Sequence, residues 1–336
     1  MTTIQQWLEE TNSNKEIVTE INLNTQKNKD ITPVIQLTIS DYPNLKKIES
    51  DSIKNIQKLI LSNLPNLTTF RWVKSELNSI EIINCPQLAE FRCYNNKLTD
   101  LNLINCPNLK VVDCSNNLLT KIELPLKAKK LEKLYLGNNN FPEQDLSLFK
   151  DLVNLKELSI GNYRNTNLKE ISAGNYGKNL IRQDSYNRFH GSLEPLAELT
   201  KLELLEINST DIDNGLEYLN DAVIVYCLAE ENSKVKDIYE QLEPYNDSVQ
   251  AWQQANPNLV IAALRKQLKK TREEKTQLEE QLQAEKEEFK KFQDKSVEYQ
   301  QARENKIEEL EQENTHLKEQ LNSLQQNQVE INTSQK

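Results

Sequence analysis

Residues 88–98, 109–119 and 131–141 read LAEFRCYNNKL, LKVVDCSNNLL and LEKLYLGNNNF. All three fit one frame, LxxLxLxxNxL. Their first leucines belong to a longer series, Leu45, Leu67, Leu88, Leu109 and Leu131, spaced 22, 21, 21 and 22 residues apart. A unit of about 20 residues cannot bury its own apolar face, so recurrence at this period predicts a solenoid of stacked coils.

Each position of the frame has a physical task. Phe91 and Cys93, Val112 and Cys114, and Leu134 and Leu136 alternate with polar residues, the pattern of a short strand with one face inward. The intervening residues point outward and line a concave parallel sheet. Asn96, Asn117 and Asn139 stand where the chain leaves the strand, and their amides can satisfy backbone groups that stacking would bury unpaired. The expectation is an asparagine ladder. On the back of each coil, Leu59 and Leu61, Ile80 and Ile82, and Leu101 and Leu103 are each followed by Asn-x-Pro-(Asn/Gln)-Leu. Proline removes a ladder donor, so this predicts an extended or 3₁₀ segment ending in a tight turn. Four successive backs read TISDYPNLKKI, ILSNLPNLTTF, IINCPQLAEF and LINCPNLKVV.

These tandem motifs, over about residues 34–219, resemble the leucine-rich repeat family, of the short-repeat kind with a cysteine-bearing strand. The stretch from Tyr186, YNRFHGSLEPLAELTKLELLEINSTDIDNGLEYLNDAVIVYC, further resembles an expanded group of fungal leucine-rich repeat proteins, whose last repeat and cap read much this way. The resemblance implies an α/β solenoid of 21–24-residue coils and a recognition surface, with no catalytic residues carried over.

The flanks differ. Residues 1–33 read as an N-terminal cap, with Ile4, Trp7 and Leu8 on one helix face, Trp7 as the plug, a strand ending at Leu23, and a polar loop over 24–33. After Phe141 a helical turn lengthens the coil, and the pattern breaks after Ile160 and returns at LTKLELLEINSTDI, which predicts either one badly degenerate coil or, the reading preferred, a loop inserted over about 161–190. Within it AGNYGKN lacks the spacing of a phosphate-binding loop. Residues 220–244 read as a closing cap, with a strand in AVIVYCLA and a helix carrying Val235, Ile238 and Leu242. Residues 245–258 read as a polar linker.

From 259 to 331 the chain lacks proline and glycine and spaces its apolar residues three and four apart, which predicts a long α-helical coiled coil. One seam is Leu264, Leu268, Leu278, Leu282, Phe289 and Phe292. After a stutter near 300–306 a second seam runs Ile307, Leu310, Asn314, Leu317, Leu321 and Leu324. A parallel pair in the second seam sets Lys306 against Glu311 and Glu313 against Lys318, with Asn314 at a position that favours an in-register homodimer. The first seam offers no such attraction. Residues 332–336 read as a disordered tail.

Composition narrows the function. A net charge of −10 argues against nucleic acid as a partner, because phosphate neutralisation needs clustered lysine and arginine. No apolar run reaches the ~18 residues of a membrane span, and MTTIQQWLEE lacks the order of a secretory signal, so the expectation is a cytoplasmic protein. Five cysteines without CxxC spacing read as small buried apolar side chains, with neither metal nor cofactor. His190 and His316 lie in different modules, and no nucleophile motif is present, so no catalytic constellation forms. The leading expectation is a non-enzymatic adaptor that binds a protein on its concave face through Thr69, Arg71, Val73, Glu90, Arg92, Tyr94, Val111, Asp113, Ser115, Lys133 and Tyr135. The alternatives are a coiled-coil assembly protein with the repeats as an end-piece, or a regulator binding a kinase or small GTPase.

Overall fold

The computed structural model describes residues 3–26, 35–162, 186–229 and 233–334. The loop expected at 24–33, beyond Gln26, and the interior of the insertion, with AGNYGKN, lie outside the described residues, as does the end of the tail. The chain divides into two compact units, Met1–Leu264 and Arg265–Lys336.

The first unit is a parallel β-solenoid. Nine short strands, Glu20–Asn22, Lys47–Asp51, Thr69–Val73, Glu90–Arg92, Val111–Asp113, Lys133–Tyr135, Glu157–Ser159, Leu204–Glu206 and Ile224–Tyr226, form one sheet in chain order. Every pairing in it is parallel and in register, with Phe70 beside Phe91 and Phe91 beside Val112. The backs of the early coils form a second parallel sheet, Gln36–Ser40, Lys58–Ser62 and Ser79–Ile83. Later backs turn 3₁₀ at Leu126–Ala128, Leu146–Phe149 and Glu194–Leu196.

Between the two sides runs one apolar core, in which Leu45, Leu67, Leu88 and Leu131 are fully buried. Each such leucine contributes roughly 2 kcal/mol of transfer free energy. Trp72, Phe70 and Phe91 fill the wide coils, with the two phenylalanine rings stacked 5.2 Å apart. Beside Trp72 in the sheet stands Ser50, a small residue against a large one, and neither the Ser50 hydroxyl nor the Trp72 indole N–H has a partner.

The asparagine ladder forms. Asn96 Nδ2 donates to the carbonyls of Trp72 and Cys93, while its Oδ1 accepts from Leu77 N at 3.1 Å. Asn117 and Asn139 repeat the arrangement one coil later each. The residue before each rung explains the Asn-Asn pairs. Asn95, Asn116 and Asn138 adopt left-handed backbone (φ 57, 54 and 53°), a conformation asparagine tolerates better than most side chains. A further ladder follows the prolines, where Asn66 and Asn108 donate to the carbonyls of Pro43 and Pro86 in the preceding coil.

Helices close both ends of the stack. Helix α1 (Ile4–Thr11) starts at a Thr3–Gln6 capping box and buries Ile4 and Leu8, while Trp7 is only partly buried. Ile4 and Leu8 are the most deeply buried side chains of the helix, and Trp7 packs against the same core beside them. At the other end, α2 (Lys236–Leu242) buries Ile238 and Leu242, with Val235 buried just before it. Residues 245–258 are not an open linker. They form α3 (Val249–Ala255), capped by Ser248, whose Val249 and Trp252 join the same core. Two large apolar side chains on one face were enough to fold an otherwise polar stretch onto the open end of the stack.

Helix α4 (Pro257–Ser334) begins with proline at its first position and contains no glycine. In the second unit it carries intrahelical pairs Lys269–Glu273, Lys270–Glu274 and Lys275–Glu279. No helix among the described residues is long and apolar enough to cross a membrane.

Candidate functional site

Because side chains alternate along each strand, register alone assembles the outer face of the nine-stranded sheet. One row runs Lys47, Thr69, Glu90, Val111, Lys133, Glu157, Leu204 and Ile224. The next runs Glu49, Arg71, Arg92, Asp113, Tyr135, Ser159, Glu206 and Tyr226. Residues about 20 apart in sequence thus become neighbours at roughly 4.8 Å.

The middle of this face is an ion-paired band. Arg71 lies 3.6 Å from Asp51, donates to the Tyr94 hydroxyl at 3.1 Å, and sits 5.9 Å from the centre of the Tyr94 ring. Arg92 bonds Glu90 at 2.5 Å and lies 4.0 Å from Asp113. Lys133 reaches Glu157 at 2.6 Å, and Tyr135 donates to the other oxygen of the same carboxylate. Burial acts to raise the Glu157 carboxyl, but the bonds from Lys133 and Tyr135 outweigh it and hold the group below its ordinary value. Asp113 is buried outright, and burial pushes its carboxyl up despite bonds from Ser115 and the nearby Arg92.

The eleven residues read from the sequence as the contact face divide accordingly. The structure brings Arg71 and Tyr94 into contact, and Thr69, Glu90, Arg92, Val111, Lys133 and Tyr135 stay partly exposed on the same face. Val73, Asp113 and Ser115 are buried, at 0, 4 and 6 % exposure. A valine set between Asp51 and Tyr94 is shorter than either neighbour, and Ser115 folds back to bond Asp113 at 2.7 Å. Asp51 and Glu157, which fix the arginine and lysine, were not anticipated, because their partners lie a coil away. Also unanticipated were Ile224, Tyr226 and Leu228, which stand exposed at the sheet edge. Their signal was AVIVYCLA itself, a strand apolar on both faces.

On α4, Leu264, Leu268, Leu278, Leu282, Phe289, Phe292, Ile307 and Leu310 are 49 to 70 % exposed, and Asn314 is exposed. Leu317, Leu321 and Leu324 lie on the same helix, with their side chains outside the described set.

All five cysteines are buried and free, and burial pushes Cys85 to about 11 and Cys106 and Cys227 to about 12, with Cys93 and Cys114 raised as well. A thiol held so far from its thiolate is a poor nucleophile and a poor ligand. Among the described residues no group of three or more metal-ligating side chains exists. A depression of about 360 Å³ is lined by Glu143, Tyr186, Arg188, His190, Gly191, Asp211, Asp213 and Lys234, a mixture of both charges.

Residues 86–128 and, overlapping them, 107–148 match the family described as Leucine Rich repeats (2 copies). Together the two matches span residues 86–148, less than a fifth of the chain. Similar solved structures include an internalin of Listeria monocytogenes strain 4b F2365, at 17 % identity over 56 % of this chain and 62 % of that one, with a TM-score of 0.35. The functional domain of the Listeria protein InlJ, described as including a cysteine ladder, is 17 % identical over 70 % of this chain and 52 % of that one, with a TM-score of 0.34. A leucine-rich repeat protein of Leptospira interrogans is 17 % identical over 70 % and 63 %, with a TM-score of 0.36. The chain thus spans between about half and two thirds of the solved chains it matches. No curated protein matches it.

Proposed function

We propose that the open face of the nine-stranded sheet binds a protein partner and that the second unit tethers or pairs the chain, making the whole a non-enzymatic scaffold. The observation that carries this is the placement of Arg71, Arg92, Lys133 and Glu157. They come from four different coils, share one face, and remain 22 to 39 % exposed. Leucine-rich repeats typically mediate contacts between proteins. Arginine and tyrosine are the residue types that most often dominate such contacts. On this reading the repeats span 34–219, the insertion 161–190 and the coiled coil 259–331, and the cap extends through α3. The chain works in the cytoplasm, where buried reduced thiols persist. Nucleic acid is not its partner.

A second reading is favoured by the exposed apolar stripe of α4, which a lone helix would leave in water. There the coil is the working part and the repeats are its end-piece. A regulator of a kinase or small GTPase is a narrower form of the first reading. Quantitative pull-downs with the full chain separate them. Proteins lost when Arg71, Arg92 and Tyr94 become alanine, and kept when Leu310 becomes lysine, support the open face. The reverse pattern supports the coil.

A further inference from the structure

The second unit carries charges that its own helix leaves unanswered. On a helix, the side chains that meet a given residue stand three and four positions away. Lys269, Lys270 and Lys275 each have a glutamate four residues on and are paired with it. Arg265, Arg272 and Lys286 have no acid three or four residues to either side, and none of them is ion-paired among the described residues. Glu285 is the converse case, with Gln281, Leu282, Glu288 and Phe289 at those positions and no base.

The seam gives these four residues a common role. Counted in threes and fours from Leu268 it runs through Thr271, Lys275, Leu278, Leu282, Glu285, Phe289 and Phe292, all of them exposed. Glu285 therefore stands inside the apolar row, between Leu282 and Phe289. Arg272 and Lys286 directly follow seam positions, and Arg265 lies one heptad before Arg272, so the three bases line one flank of the seam.

A second copy of the chain answers none of them. In parallel register it sets Glu285 on Glu285 and Lys275 on Lys275 inside the seam, Glu274 against Glu279 beside it, and only Gln267 and Gln281 opposite Arg272 and Lys286. An antiparallel copy turns the basic flank onto itself, where the one acid, Glu279, is already bonded to Lys275. Ions buried without a counter-ion lose their hydration and gain nothing in exchange.

We propose that the seam from Leu268 to Phe292 docks a helix of a different protein, one that carries a lysine or arginine in its seam opposite Glu285 and aspartate or glutamate on the flank that faces Arg265, Arg272 and Lys286. The inference rests on the reading of the second unit as a tether and deepens it by giving the chemistry of what it holds. Leu268, Leu278, Leu282 and the two phenylalanines supply apolar burial. The charges fix register and reject a second copy. Pairing of the chain with itself is left to the seam that starts at Ile307.

The test screens the full chain against a phage-displayed library of short helices randomised at seam and flank positions, followed by fluorescence-anisotropy titration of the most enriched helix. Enriched helices are expected to carry a base opposite Glu285 and acids on the facing flank. Affinity should fall about tenfold or more in Arg272→Glu/Lys286→Glu and return when the flank acids of the selected helix are changed to lysine, with Leu310→Lys and Arg71→Ala/Arg92→Ala nearly unchanged. Glu285→Lys should switch the preference at the facing seam position from base to acid, and circular dichroism of each variant verifies the helix. Enrichment of no helix, or of helices without these charges, overturns the proposal. Sedimentation of the wild type separates that failure from failure of the second unit as a coil: a dimer keeps the second seam, and a monomer at every concentration removes both. A Leu310→Lys chain that still dimerises, and becomes monomeric only when Leu278→Lys is added, assigns the first seam to a second copy and also overturns it.

Discussion

Asn162 and Asn187, 25 residues apart in sequence, hold each other. The Asn187 N–H donates to Asn162 Oδ1 at 2.7 Å, and Asn162 Nδ2 donates back to the Asn187 carbonyl at 3.0 Å. Counting from Leu155, the frame calls for its ladder asparagine at position 163, which is Tyr163. Asn187 takes the rung instead, with Nδ2 on the carbonyls of Leu136 and Ile160 and Oδ1 on Phe141 N. The described coil stops at Asn162, one residue before the expected rung, and resumes at Tyr186, one residue before Asn187 supplies it.

Asn187→Ala removes both donors and the acceptor from a site of 0 % exposure, taking these bonds from the Ile160 carbonyl and the Phe141 N–H, while the Leu136 carbonyl keeps its bond from Asn139. The expected loss is about 3 kcal/mol, read from urea unfolding at constant slope. Asn108→Ala, which breaks an exposed bond to Pro86, should cost less than about 1 kcal/mol.

Ser50→Ala should be neutral or stabilising, by less than about 1 kcal/mol, because its buried hydroxyl has no partner to lose. A midpoint lowered by several degrees would show that the hydroxyl is satisfied in solution.

Asp113 sets a pH dependence. Its folded pKa is raised by burial, so between the unfolded value and the folded one the native state holds more protons than the unfolded state. Stability from this group is therefore greatest below its unfolded pKa of about 3.9 and falls as pH rises through the folded value. Asp113→Asn should remove that slope and raise the neutral-pH melting temperature, measured against the wild type from pH 4 upward.

For the second unit, sedimentation of the full chain should give a concentration-dependent dimer that Leu310→Lys converts to monomer. The reason is that a charge replaces an apolar residue in the seam beside Asn314. A wild-type chain that is monomeric at every concentration would contradict the paired coil.

Much of this was legible in the chain. The 21–22-residue period, the inward positions Phe91, Val112 and Leu134, and the rungs Asn96, Asn117 and Asn139 follow from local spacing, and the structure places all of them as expected. What was not legible depends on contacts a coil or more away. Asn66 reaching Pro43, Asp51 meeting Arg71 and Asn187 replacing the missing rung leave no trace in a short window. The helix with Trp252 was hidden by its polar neighbours, and the exposed face of Ile224 and Tyr226 was hidden by an apolar run that equally describes a buried strand.

The central claim is that the coils before Asn162 and after Asn187 form one continuous stack, joined by the bonds between these two residues. Deleting residues 163–185 and joining the ends through a short glycine linker tests it most directly, by calorimetry of the shortened chain. The account predicts a single cooperative transition within a few degrees of the parent. Loss of the cooperative transition, or separate melting of the pieces on either side, would contradict it.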